Sequence, residues 1–147
     1  MESWRKLAIE LFPERKGVYE TPEETVWSVI FDLHDEVVQA HEKNDLNLLQ
    51  RIYRFTEWCH SQKEVEPEIW TAAYAGFYEH LVEDEATYFA IPQWINPEIF
   101  REILPEFEDR LDNKVKYPFK TPGGFNELLE YYNEKRGTNF TREDIQK

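Results

Sequence analysis

The sequence has a single cysteine, few glycines and no long apolar run. Cys59 is the one cysteine among 147 residues, so an internal disulfide is excluded and a reducing compartment is expected. No stretch approaches the roughly 18 apolar residues that a membrane-spanning helix needs. The N-terminus lacks the apolar segment of a secretion signal. We therefore expect a cytoplasmic protein with no membrane partner.

Positive charge is also scarce. Lys and Arg number 17 against 30 Asp and Glu, which gives a formal net charge of −13. Nucleic-acid backbones and anionic membranes attract clustered Lys and Arg, so direct binding to either is not expected. The only glycine pair, Gly123-Gly124, lacks the spacing and the lysine of a phosphate-binding loop. The charge favours a basic protein as partner.

The apolar residues that are present recur at helical spacing. Between Val26 and His41 they follow one another every three or four positions, which predicts a helix rather than a strand. We expect Thr21 to cap this helix, with Glu24 completing a capping box. The pair Asn96-Pro97 predicts a second helix start of the same kind, because proline suits the first helical position.

Similar patterns extend over the rest of the chain. They predict a helix after Asp45, a third from Pro67 through Leu81, a kink or restart at Pro105, and a last helix over residues 125–136 that ends at Gly137. The sequence therefore predicts an all-α fold, a compact bundle or short stack of about six to seven helices. We expect one domain over residues 1–147, with a flexible loop at 112–124 and a flexible C-terminal tail at 138–147.

The histidines do not form a metal-binding pattern. Glu57 and His60 match Glu-x-x-His, which is one half of the ligand set of di-iron helical bundles. The other three histidines, His34, His41 and His80, have no glutamate three residues before them. We therefore predict no metal and no other cofactor.

One polar pair is compatible with catalysis. Glu79 and His80 are neighbours within the aromatic segment Phe77-Tyr78-Glu79-His80-Leu81. A carboxylate beside an imidazole can act as a general acid or base. Without a third catalytic partner in the sequence, we predict that the protein is not an enzyme, and a small helical enzyme using Glu79 and His80 is kept as an alternative.

Several segments together resemble a known group of proteins. Residues 51–59, the segment 77–81, Leu33-His34-Asp35 and Pro92-Gln93-Trp94 look like a family of small bacterial all-helical proteins. The resemblance covers residues 26–111 and implies a helical fold and a bacterial origin, but no activity. In size, charge and fold class the chain is also similar to acidic immunity proteins that neutralise toxins.

Acidic residues cluster beside aromatic ones, which suggests a protein-binding surface. Carboxylates steer a basic partner and aromatic rings supply binding energy. The predicted steering charges are Glu64, Glu66, Glu68, Glu83, Asp84 and Glu85, and the predicted anchors are Trp70 and Tyr88. We expect an immunity-type inhibitor that occludes the active site of a basic toxin or nuclease. The alternative is an inhibitor that imitates DNA to block a nucleic-acid-binding enzyme.

Overall fold

The computed structural model of the protein describes residues 1–145. Over that range the chain forms nine α-helices and three short 3₁₀ segments, without a strand, so the prediction of an all-α fold is confirmed. Six of the helices have nine residues or more. No helix in the described part is long and apolar enough to cross a bilayer.

The chain divides into two compact units, Met1–Tyr78 and a second that begins at Glu79. A 3₁₀ segment, Tyr78–Glu83, joins them. The expectation of one domain over residues 1–147 stays a prediction.

The first unit is built on three long helices that pack against one another. Its helices are α1 (Ser3–Leu11), α2 (Lys16–Tyr19), α3 (Val26–Glu42), α4 (Leu46–His60) and α5 (Pro67–Gly76). Helices α3, α4 and α5 contact each other, and α1 lies against α3 and α4. A Cβ atom added at Gly76 would meet Ile30 Cγ2 at 2.8 Å, so only glycine allows α5 to approach α3 this closely.

Helix α3 begins later than the sequence predicts. The cap is Thr25, whose Oγ1 accepts from the Ser28 backbone N–H at 3.1 Å, while the Ser28 hydroxyl oxygen accepts from Thr25 N–H at 2.8 Å. The predicted capping role of Thr21 is therefore wrong, as is that of Glu24. The carbonyls of Thr21 and Glu24 both accept from the Arg5 guanidinium, which holds this stretch outside the helix.

Helix α5 ends earlier than the sequence predicts. It stops at Gly76, and Phe77 leaves helical geometry (φ −129°, ψ −67°) instead of continuing to Leu81. Phe77 and Tyr78 are consecutive and both fully buried, and the Tyr78 hydroxyl donates to Thr56 Oγ1 at 3.1 Å. Burying two adjacent aromatic rings requires the chain to turn here, which overrides the helical pattern.

The second unit contains two long helices and two single-turn helices. They are α6 (Glu85–Tyr88), α7 (Ile91–Trp94), α8 (Pro97–Asp112) and α9 (Phe125–Arg136). The Phe100 and Tyr132 rings stack with centroids 3.7 Å apart, joining α8 to α9. The Tyr132 hydroxyl also donates to the Ile95 carbonyl at 2.7 Å. Gly137 ends α9 in the left-handed conformation (φ +67°), as predicted.

Helix α8 begins as predicted but does not break at Pro105. Asn96 caps it by accepting from the Ile99 N–H at 2.9 Å. The helix then runs through Pro105 to Asp112, so the chain does not restart a helix there, and the predicted kink stays a prediction. Proline removes the donor to the carbonyl four residues earlier, at Arg101. Arg101 is exposed, so water can satisfy that carbonyl and the helix tolerates the proline.

Residues 113–124 contain no helix, so the predicted loop begins one residue later than expected. In the tail predicted at 138–147, the Asn133 side chain bonds both backbone groups of Phe140, at 2.8 and 2.9 Å. The last two residues of that tail, 146 and 147, lie outside the described residues. The flexibility expected of both segments stays a prediction.

Candidate functional site

A buried arginine organises one end of the first unit. Arg5 is 6% exposed, and its Nη1 donates to the carbonyls of Tyr19 and Thr21, each at 2.7 Å. Its Nη2 donates to the Glu24 carbonyl at 2.8 Å, and its Nε donates to Glu2 Oε1 at 2.9 Å. Because these carbonyls belong to the segment around the α2–α3 connection, the guanidinium fixes that connection against α1.

A cleft of about 350 Å³ opens beside this arginine. Its walls come from the start of α1, the α2–α3 connection and the start of α5. The charged residues that line it are Glu2, Arg5, Glu24, Glu66 and Glu68. Four carboxylates and one guanidinium give the lining a formal net charge of −3 with all of them ionised. We call this feature the acidic cleft.

The cleft carboxylates differ in how they are held. Hydrogen bonding from Arg5 lowers the pKa of Glu2 to about 2, so this carboxylate stays ionised at any ordinary pH. Glu24 Oε2 accepts from the Ser28 hydroxyl at 2.6 Å. Glu66 Oε1 accepts from the Ser3 hydroxyl at 3.0 Å. A serine hydroxyl orients a carboxylate without bringing a positive charge to it.

The first predicted acidic block falls partly on this cleft. Glu66 and Glu68 line it, whereas Glu64 is exposed and is not among the lining residues. The sequence analysis missed Glu2 and Glu24, because their approach to α5 depends on tertiary packing. Arg5 carried a usable signal, since it lies on the buried face of α1 and a buried charge requires partners.

Trp70, a predicted anchor, is half-buried on α5. Its ring packs on Tyr74 with centroids 4.8 Å apart and a 31° interplanar angle. Lys63 Nζ also lies over the Trp70 ring, 4.8 Å from the ring centroid. The ring is therefore close to the surface, as an anchor must be.

The second predicted acidic block is Glu83, Asp84 and Glu85, and two of its three side chains already form bonds within the second unit. Glu83 pairs with Arg110, and Asp84 caps α6 by accepting from the Ala86 N–H at 2.8 Å. Glu85 is exposed. Tyr88 is only 2% exposed, so its ring is not at the surface and the prediction of an anchor there does not fit the structure.

The candidate catalytic pair belongs to an ion-pair cluster around Arg110. This arginine is 8% exposed, and its Nη1 and Nη2 donate to Glu83 Oε1 at 2.9 Å and Glu79 Oε1 at 2.7 Å. Glu83 Oε2 lies 2.8 Å from His80 Nδ1. The guanidinium also lies over the Tyr117 ring at 4.7 Å. Glu79 is thus a structural partner of a buried cation.

The sequence analysis missed Arg110, although a signal was present. Three and seven residues earlier on α8 lie the buried Phe107 and Ile103, so Arg110 continues an apolar stripe. A charged residue on such a stripe predicts nearby opposite charges.

The two residues of the Glu-x-x-His pattern on α4 differ in their exposure to solvent. His60 is buried, with its ring 6.2 Å from Trp70 and 5.9 Å from Tyr78, whereas Glu57 is exposed. Cys59 is fully buried, and burial raises the pKa of its thiol. A protonated, inaccessible thiol is unsuited to nucleophilic attack.

These features define an all-α protein with a negatively charged surface cleft. A family model described as "Domain of unknown function (DUF7674)" matches residues 5–112, and the chain belongs to that family. The matched segment includes Arg5, Glu24, Glu66 and Glu68 of the cleft, and it ends before the loop at 113–124. No curated protein and no solved structure matches the chain.

Proposed function

We propose that this protein is an acidic binding module that inhibits a basic protein, such as a toxin or nuclease, by occluding its active site. The observation that carries the proposal is the acidic cleft, in which Glu24, Glu66 and Glu68 add to the Arg5-paired Glu2. A cleft with this net charge attracts Lys and Arg side chains of a partner. The low-dielectric walls of a cleft strengthen that attraction relative to a flat surface.

The same carboxylates explain how inhibition would work. A nuclease binds phosphates with clustered Lys and Arg, and carboxylates compete for those groups. The protein would therefore cover the groove and also neutralise it. An inhibitor that imitates DNA uses the same contacts, and direct competition with a DNA duplex for the partner would identify that variant of the mechanism.

The expected setting follows from the same proposal. We propose the cytoplasm of a bacterial cell as the setting, where such an inhibitor would protect the cell that produces the toxin. The buried, unpaired Cys59 supports a reducing compartment. The enzymatic alternative at Glu79 and His80 stays a prediction, and the engagement of Glu79 by Arg110 weighs against it.

The test is charge reversal in the cleft. The candidate partner is the product of the gene next to the one that encodes this protein. It is purified, and its affinity for this protein is measured by calorimetry at several salt concentrations. We expect Glu66→Lys combined with Glu68→Lys to weaken binding at least tenfold and to reduce its salt dependence. Circular dichroism confirms that the variant is folded.

The matched control reverses two exposed carboxylates of α9, Glu130→Lys and Glu134→Lys, with the same change in net charge. It is expected to bind within about twofold of the unmodified protein. Equal weakening by both variants would show that net charge alone acts, and unchanged binding by the cleft variant would refute the cleft as the docking site.

A further inference from the structure

An aromatic face on α5 is occupied by one of the protein's own cations. Trp70 and Tyr74 lie one helical turn apart and their rings are in contact. Lys63, from the turn that precedes α5, places its Nζ 4.8 Å from the centroid of the Trp70 ring. We call the paired rings of Trp70 and Tyr74 the Trp70 face.

The position of Lys63 shows what this face prefers to bind. An ammonium over an indole is attracted by the negative potential of the ring face, and tryptophan is the strongest aromatic partner for it. Lys63 is otherwise exposed, so the ammonium can return to water at small cost. The Lys63 ammonium therefore occupies a place over the ring that a Lys or Arg side chain of another protein could take.

A second observation concerns the edge of the same ring. The Trp70 Nε1–H is buried and has no hydrogen-bond partner among the described residues. A buried donor without an acceptor is unfavourable, so a partner that supplies an acceptor to this indole gains affinity from it. A shift of the ring that brings Nε1–H to a partner's carbonyl oxygen would relieve that cost.

The charge around the face sets the sign of its partner. Glu66 lies four residues before Trp70, so it occupies the same side of the helix at its start, and it also lines the acidic cleft. Glu64 is exposed in the preceding turn. A basic segment docked in the cleft would therefore meet the Glu66 carboxylate beside the Trp70 face.

We propose that the Trp70 face receives a Lys or Arg side chain of the basic partner, in the place that Lys63 occupies in the free protein. This inference rests on the proposed function, which it extends by naming an anchor and the group that the anchor binds. Lys63 then acts as an internal competitor that the partner must displace. Its removal should strengthen binding.

The probe is a synthetic decapeptide of alternating glycine and lysine, titrated into the full-length protein at low salt. Calorimetry gives the affinity, and the indole N–H signals of the five tryptophans are followed by NMR, with Trp70→Phe assigning the Trp70 signal. The key variant is Lys63→Met, which keeps an unbranched side chain one atom shorter and removes the charge. Lys43→Met, at an exposed lysine after α3, is the control with the same change in net charge.

Lys63→Met is expected to bind the peptide about two- to fivefold more tightly than Lys43→Met, the range that an exposed cation–π contact implies. Trp70→Leu is expected to weaken binding by a similar factor, and the Trp70 indole signal should shift on titration. Equal affinities for the Lys63→Met and Lys43→Met variants would overturn the inference, and this comparison holds even if Trp70→Leu fails to fold.

The outcomes also separate the inference from the proposed function. If the peptide binds and the cleft variant weakens it, while Lys63→Met equals Lys43→Met, the cleft stands and the Trp70 anchor is refuted. If the Trp70 signal shifts and Lys63→Met binds more tightly, while the cleft variant binds normally, the anchor stands and the cleft is refuted. Absence of peptide binding to every variant overturns the Trp70 anchor, and the cleft is then judged by the charge-reversal measurement with the partner protein.

Discussion

Each unit of the molecule buries one arginine, and the two arginines are satisfied in different ways. The Arg5 guanidinium donates mainly to backbone carbonyls of the first unit and pairs with a single carboxylate, Glu2. The Arg110 guanidinium of the second unit donates to two carboxylates, Glu79 and Glu83. One arginine thus organises the main chain, and the other neutralises acidic side chains.

This difference decides which acidic residues the proposed function can use. Because Arg5 donates mainly to carbonyls, its guanidinium is not hydrogen-bonded to the carboxylates of Glu24, Glu66 and Glu68 in the cleft. Arg110 instead forms ion pairs with the carboxylates of Glu79 and Glu83. Two acidic blocks that look equivalent in the sequence therefore have different uses, and the net charge of the whole chain is a poor guide to where a partner docks.

The largest effect is expected from Arg110→Met. It leaves Glu79 and Glu83, which are mostly shielded from water, without their cation, and removing one partner of a buried ion pair costs about 3–4 kcal/mol. Urea unfolding followed by circular dichroism measures the loss. Glu85→Gln, at an exposed neighbour, should change stability by less than about 0.5 kcal/mol.

A loss below about 1 kcal/mol for Arg110→Met would contradict the view that this cluster is structural. Adding Glu79→Gln and Glu83→Gln to Arg110→Met provides a further check. Neutral amides need no cation, so the triple variant should recover part of the lost stability.

The second prediction exchanges each arginine for lysine. Arg5→Lys keeps the charge but cannot reach three carbonyls at once, so we expect a loss of about 2 kcal/mol, the range for hydrogen bonds to a charged group. Arg110→Lys keeps the attraction to two carboxylates and should lose about half as much as Arg110→Met. The comparison also requires Arg5→Met. If the loss of stability in Arg5→Lys, divided by that in Arg5→Met, equals the same ratio for Arg110, the distinction between the two arginines fails.

The sequence predicted the helices whose pattern is local. The start at Asn96-Pro97 and the end at Gly137 depend on a few neighbouring residues, and both predictions are confirmed. The start of α3 and the end of α5 depend on distant contacts, through Arg5 and through the burial of Tyr78. At α3, Arg5 holds residues 21–24 outside the helix and a different local box, Thr25 with Ser28, starts it. At α5, tertiary burial alone overrode the local pattern.

The site was predictable only in part, for a similar reason. Glu66 and Glu68 were recognised from acidic composition alone. Glu2 and Glu24 join them only because Arg5 draws the α2–α3 connection against α1, which no spacing in the sequence reveals. The predicted anchor at Tyr88 failed because aromatic residues in a core and at an interface look alike in a sequence.

The smallest effect concerns a neutral pair in the first unit, which contrasts with the ionic cluster of the second. His41 Nε2 lies 2.7 Å from the Tyr53 hydroxyl, and burial lowers the pKa of the histidine. The unfolded chain then binds the proton more readily than the folded one. Stability should therefore fall as the pH drops below about 6.5, the ordinary histidine value, until the lowered pKa of the folded state is passed.

His41→Gln removes this titration while keeping an acceptor for the Tyr53 hydroxyl. Carboxylates titrate in both proteins, so the informative quantity is the difference in unfolding free energy between the unmodified protein and the variant at pH 7.5 and at pH 5.5. We expect that difference to move in favour of His41→Gln at the lower pH. A difference independent of pH would mean that the histidine has the same proton affinity in both states, and the interior of the first unit would then contribute no acid sensitivity through this pair.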